Sequence, residues 1–189
     1  MLCDACLVLL YKRLRTSETA RGIFFALHID DFPTIEALVQ ESGLTPHQVR
    51  DALNFLRGTG LVWGDGCHGL SESGHRLLEL LQDADQPAPA ETLCDTCLLE
   101  IGQELHRDAF AVLAQLADRM THGRHDLMLS TELTTGQMRV ALRALEGAGL
   151  IKSARGRSFR LSKTGRRLER LLRHQQEPTK VIPALQLGR

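Results

Sequence analysis

Residues 133–172 read LTTGQMRVALRALEGAGLIKSARGRSFRLSKTGRRLERLL, and residues 44–81 read LTPHQVRDALNFLRGTGLVWGDGCHGLSESGHRLLELL. The two stretches are copies. Leu44-Thr45 aligns with Leu133-Thr134, Gln48 with Gln137, Arg50 with Arg139, Gly60-Leu61 with Gly149-Leu150, Leu70-Ser71 with Leu161-Ser162, and Gly74 with Gly165. The later copy is two residues longer, and the extra length falls between the Gly-Leu and Leu-Ser pairs. A supersecondary unit used twice is the first thing the chain declares.

Each copy has a readable local grammar. Thr45 before Pro46 is an N-cap followed by proline at the first helical position. Val49, Ala52, Leu53 and Leu56 then recur at helical spacing, and Gly58 and Gly60 are expected to stop the helix. In the second copy Thr134 caps, Met138, Ala141, Leu142 and Leu145 form the buried stripe, and Gly147 and Gly149 stop it. Leu150-Ile151, the loop SARGRS and Phe159-Arg160-Leu161 read as a hairpin. Ser162 opens a further amphipathic helix with Leu168, Leu171 and Leu172 inside. Upstream, PTIEALVQESG and DLMLSTELTTG each predict a short helix. Longer helices are expected before those, from Glu18 to about Asp30 and from about Glu104 to Met120.

Helix, helix, turn, helix, two-stranded wing, helix resembles the winged-helix fold, and the wording of both copies is similar to MarR-like bacterial transcriptional regulators. The fold class implied is mainly α with small β wings: a tandem winged helix-turn-helix, a pseudo-twofold dimer within one chain. The expected divisions are repeat 1 over residues 1–82, a Pro- and Ala-rich acidic linker over 83–91, repeat 2 over 92–176 and a tail over 177–189.

The resemblance implies DNA binding through the second helix of each helix-turn-helix. In the second copy Thr135, Gln137, Arg139, Val140 and Arg143 are expected outward, where Arg suits guanine and Gln suits adenine. Lys152, Arg155, Arg157 and Arg160 on the wing would reach phosphates or the minor groove. From Arg139 to Arg173 there are 11 basic residues and two acidic ones, a strong local positive field. The first copy presents His47, Gln48, Arg50, Asp51 and Asn54, with a short wing, GDGCHG, that has no Lys or Arg. Weaker DNA reading and a packing role are both open for it. Trp63 and Phe55 are expected in the core or an interface.

Cys3-Asp-Ala-Cys6 and Cys94-Asp-Thr-Cys97 stand at the same place in each copy, at the start of the first helix. MarR-like regulators are dimers joined through helices at their chain ends, so the resemblance makes this chain a fused dimer whose N-terminal helices meet near a pseudo-twofold axis. That would gather four thiolates around one centre. Such a set suits tetrahedral zinc or an iron–sulfur cluster, the latter giving redox or iron sensing; leucine after the second cysteine counts modestly against a zinc-knuckle geometry. Separate redox pairs at helix N-termini and plain packing are the alternatives. Cys67, beside His68, reads either as an oxidant-sensitive thiol or as an incidental loop residue.

Formal net charge is zero over 189 residues, but residues 1–90 hold 7 Lys+Arg against 12 Asp+Glu and residues 91–189 hold 16 against 11. Halves of opposite sign suggest different partners, double-stranded DNA for the second and a protein for the first. The rival function is therefore a tandem winged-helix interaction module, of the kind found in segregation or transcription complexes, with structural zinc. No nucleophile–His–acid set, phosphate-cradling Gly loop or H-E-x-x-H is present, so an enzyme is not expected. Most of the eight scattered histidines read as surface residues. No apolar run is long enough to cross a bilayer and the N-terminus lacks a signal-peptide pattern, so the cytoplasm is expected.

Overall fold

The computed structural model describes residues 1–29, 33–64, 67–83, 87–118, 120–154 and 158–176. These form ten α-helices and five short strands: α1 (Asp4–Leu14), α2 (Glu18–Ile29), α3 (Ile35–Ser42), α4 (Pro46–Gly58), β1 (Val62–Trp63), β2 (Gly69–Leu70), α5 (Glu72–Gln82), α6 (Asp95–Glu104), α7 (Arg107–Gln115), β3 (His122–Gly123), α8 (Arg124–Thr131), α9 (Thr135–Gly147), β4 (Ile151–Ala154), β5 (Ser158–Leu161) and α10 (Lys163–Gln176). Both halves run helix–helix–helix–helix–hairpin–helix. β1 and β2 pair antiparallel, as do β4 and β5; β3 joins the second sheet beside β5, a third strand that the sequence does not announce.

The repeated residues do the same work twice. Thr45 and Thr134 accept the backbone N–H of Gln48 and Gln137, whose side chains accept back from the cap, two reciprocal capping boxes. Ser71 and Ser162 each cap the following helix by accepting from Gly74 and Gly165, and donate to the carbonyls of Gly60 and Gly149. Asp4 binds Arg76 through two hydrogen bonds, Arg76 Nε to Oδ1 at 3.0 Å and Nη2 to Oδ2 at 2.8 Å, and in the other half Arg167 Nη2 lies 2.5 Å from Asp95 Oδ1. Each pair ties the start of the half's first helix to its last.

The halves share one apolar core, in which Leu7, Leu10, Leu14, Phe24 and Leu56 of the first join Leu98, Ile101, Val112, Leu145 and Leu168 of the second. The most extensive helix–helix contact is between α4 and α9. His47 meets Arg139, Asp51 meets Arg139 and Arg143, Phe55 meets Gly147, and Gly58 meets Ala144. The early residues of each helix meet early residues of the other and the last turns meet each other, so the helices run side by side in the same direction.

Glycine explains how they come so close. A β-carbon on Gly58 would lie 1.9 Å from the Ala144 carbonyl oxygen, and one on Gly147 would lie 2.1 Å from that of Phe55. Gly58 and Gly147 are thus the last residues of their helices, as expected, and also the points of contact between them. Termination falls to Gly60 and Gly149, at φ 72° and 68°.

Two expectations are corrected. The helix expected from about Glu104 to Met120 is shorter, Arg107–Gln115: α6 ends at Glu104, Leu105 is extended (φ −65°, ψ 127°), and His106 caps α7, accepting from the Asp108 N–H at 3.3 Å. A 3₁₀ turn at Leu116–Asp118 then follows α7. Trp63 is not core; it is half exposed at the edge of the short sheet, with its indole N–H donating to the Leu70 carbonyl. Phe55 is partly buried in the α4–α9 contact, as an interface residue. The end of the 83–91 segment docks on the body, where Ala90 N–H donates to the Ala5 carbonyl. The tail 177–189 lies outside the described residues. No helix among the described residues is long and apolar enough to cross a membrane.

Candidate metal centre and basic face

Cys3 and Cys94 occupy the N-cap positions of α1 and α6, and Cys6 and Cys97 lie one turn in. An N-cap and the residue three later share one side of the first helical turn, so each C-x-x-C presents its sulfurs together. The shared core then sets the two helix starts against each other. The four Sγ atoms lie within 4.8 Å of one another, across residues 88 to 94 positions apart in sequence.

The contacts are exchanged between halves. Cys3 N–H donates to Cys97 Sγ at 3.3 Å, and Cys94 N–H donates to Cys6 Sγ at 3.4 Å. All four cysteines are free thiols, and the Cys97–Cys3 sulfur separation of 3.6 Å is far beyond a disulfide bond of about 2.05 Å. It is close to the edge of a tetrahedron with metal–sulfur bonds of about 2.3 Å, which is roughly 3.8 Å. The donor set and its spacing fit a metal ion. Cys6 and Cys97 are buried, Cys3 and Cys94 exposed. Burial pushes the Cys6 thiol up to about 11 and raises Cys97 as well, whereas the neighbouring Cys97 backbone N–H holds Cys94 below its ordinary value. Without an ion the buried pair favours the protonated form, and a bound cation reverses that preference.

Around the centre stand residues that motif reading passed over. Arg76 holds Asp4 below the usual carboxylate range, and Arg167 bonds both Asp95 and the Leu93 carbonyl at 2.7 Å. The sequence carried the signal: aspartate is the second residue of both C-D-x-C motifs, and arginine recurs two residues after each Gly74/Gly165.

The expected DNA contacts are divided. Thr135 is exposed, and so are Gln48 and Gln137, but each Gln side-chain oxygen is committed to its capping box. Arg139 and Arg143 turn toward the other half: Asp51 lies 3.5 Å from Arg139 and 3.7 Å from Arg143, and Arg139 donates to His47 Nε2 at 2.8 Å. Arg143 also pairs with Glu146 at 3.0 Å. Val140 is half-buried, and Asn54, expected on the reading face, is buried. Arg50 is exposed. Arg155 and Arg157 lie outside the described residues. Lys152, Arg160, Lys163, Arg166 and Arg170 are exposed and have no carboxylate partner among the described residues. Cys67 is exposed in the loop before β2, and His68 is a buried exception among the histidines, 3.3 Å from Arg57.

No family model, curated protein or solved structure matches this chain.

Proposed function

We propose that this chain is a DNA-binding transcriptional regulator of tandem winged-helix build, resembling a MarR-like dimer fused into one polypeptide, whose halves are clamped by a single tetrahedral ion held by Cys3, Cys6, Cys94 and Cys97. Zinc is the metal this reading favours over a cluster. Iron and sulfide atoms interposed between cysteine sulfurs hold them apart, and here all four converge within 4.8 Å. Such an ion supplies a cross-link between helix starts and no chemistry beyond that.

The DNA-binding part rests on one observation: a set of exposed cations in the second half, Lys152, Arg160, Lys163, Arg166 and Arg170, that no described carboxylate neutralises. An ordinary solvated surface intersperses both signs; this one suits a phosphate backbone. Fluorescence anisotropy with labelled duplex DNA over a salt series tests it. With about six phosphates neutralised, affinity falls on the order of a thousandfold between 50 and 200 mM salt. Replacing Lys163, Arg166 and Arg170 by alanine reduces the magnitude of the log–log salt slope by about 3. Binding that is absent, or indifferent to salt, defeats the reading.

The second reading, an interaction module with structural zinc, is favoured by a different observation. Arg139 and Arg143, the base-reading candidates, are engaged by Asp51, and the half that supplies Asp51 is acidic.

A further inference from the structure

Exchange of the halves places Arg13 of α1 where Glu104 stands on α6, and the molecule treats the two positions differently. On one side, Arg13 crosses the interface. Its Nη1 donates to the Ala148 carbonyl, the C-cap of α9, at 2.6 Å, and lies where a β-carbon on Gly149 would be, 2.2 Å away. Its guanidinium is therefore held at a helix C-terminus, the negative end of the helix dipole. On the other side there is no such arginine, and a cleft of about 720 Å³ is open. It is walled by Gly58 and Gly60 at the end of α4, Val140 and Ala144 of α9, Glu104 of α6 and the indole of Trp63.

We propose that this cleft binds a small organic cation, a guanidinium or primary ammonium group on a short aliphatic stem, in the place that the Arg13 side chain fills in the opposite half. Three features besides the cavity carry this. The chain's own Arg13 shows what the equivalent site accepts. Glu104 lines the cleft with no ion-pair partner among the described residues, beside Glu72 and Glu100, which act on the Met1 ammonium group, and Asp108, which is paired with His106. Trp63, half exposed, offers an aromatic face of the kind that attracts cations most strongly. The cationic side chain on the wall, Arg57, leans away to the His68 ring. The stem would lie along Val140 and Ala144, as amphipathic side chains lie on apolar surface. The mate cleft is narrowed further because Ala144 is matched there by Phe55 and Val140 by Asp51. A cation so placed touches elements of both halves, α4, α6 and α9.

Trp63 is the only tryptophan, so its fluorescence reports the cleft directly. Agmatine titrated into the metal-loaded full chain is expected to give a saturable change, matched by calorimetry with one site per chain. Glutarate, an anion of similar length, gives none. Glu104→Arg supplies the missing arginine, which occupies the cleft and weakens agmatine binding at least tenfold. Glu104→Gln keeps shape and fold, removes one charge, and weakens binding several-fold. The inference is overturned if agmatine, putrescine and spermidine all fail to bind the wild-type chain by both methods, if glutarate binds equally well, or if both Glu104 variants bind agmatine as the wild type does.

Discussion

Alanine at Gly58 distinguishes this arrangement of helices from any in which α4 and α9 stand apart. On an isolated or merely solvated helix, Gly→Ala at a helical position stabilises by up to about 1 kcal/mol, because glycine loses more backbone freedom on ordering. Here the added methyl would meet the Ala144 carbonyl oxygen at 1.9 Å, against a normal van der Waals contact of roughly 3.3 Å. The obstacle is backbone, so no rotamer change relieves it. The helices must separate by more than an ångström, and a gap of about 0.5–1 Å already forfeits a quarter to a half of each dispersion contact along the seam. Overpacking of a tight core costs about 1–3 kcal/mol and at times more, and contact with rigid backbone belongs at the upper end. A net loss near 3 kcal/mol lowers Tm by roughly 6–12 °C for a chain of this size. Gly147→Ala behaves alike, its methyl meeting the Phe55 carbonyl at 2.1 Å. Gly136→Ala, in the open first turn of α9 with nothing within 4 Å, is the control and leaves Tm unchanged or slightly raised. Differential scanning calorimetry of the three variants reads the result. A rise in Tm for Gly58→Ala or Gly147→Ala would refute the side-by-side packing.

The remaining predictions are brief. Cys6→Ser and Cys97→Ser each remove a buried ligand, so metal content falls below one ion per chain and the metal-dependent part of the thermal transition disappears; mass spectrometry under native conditions measures the first and calorimetry the second. The pH response changes sign with metal. In metal-free protein Cys6, raised from an ordinary 9.0 to about 11, contributes stability that is fully present below pH 9 and is lost as pH rises through 11. In metal-loaded protein the thiolates are required, so acidification releases the ion, and denaturation curves with and without chelator across pH 5–11 show opposite slopes. Glu132 closes α8 in the left-handed region at φ 56°, where the matching residue of the first half is Gly43 at φ 66°; Glu132→Gly stabilises by about 1 kcal/mol, read by urea midpoint. Asp51→Asn frees Arg139 and Arg143, costing about 1 kcal/mol in these partly exposed pairs while tightening duplex DNA binding several-fold by anisotropy.

The order of elements was legible because local rules act locally. Thr-x-x-Gln boxes, glycines past helix ends and apolar stripes at helical spacing decided α4, α9 and both hairpins, and the duplication allowed each copy to check the other. The meeting of the cysteines was legible only through repeat and resemblance together, since no spacing within one C-x-x-C brings in a partner about ninety residues away. What stayed hidden is what depends on which faces the halves put together. Arg139 and Arg143 read as outward because the acidic residue that turns both of them inward, Asp51, belongs to the other copy. Gly58 and Gly147 read only as helix ends, which they are, because their second role, a seat for a neighbouring backbone, has no local signature. The cleft exists through a difference between copies, Arg13 against Glu104, and an alignment built on the similarities passes over it.

X-ray absorption at the metal edge, on protein purified without oxygen, tests most directly whether one ion joins the two halves. The account predicts one zinc per chain with a single shell of four sulfurs at about 2.3 Å and no metal–metal scattering. An iron–iron shell, a mixed shell with fewer than four sulfurs, or protein purified without any bound metal would contradict it.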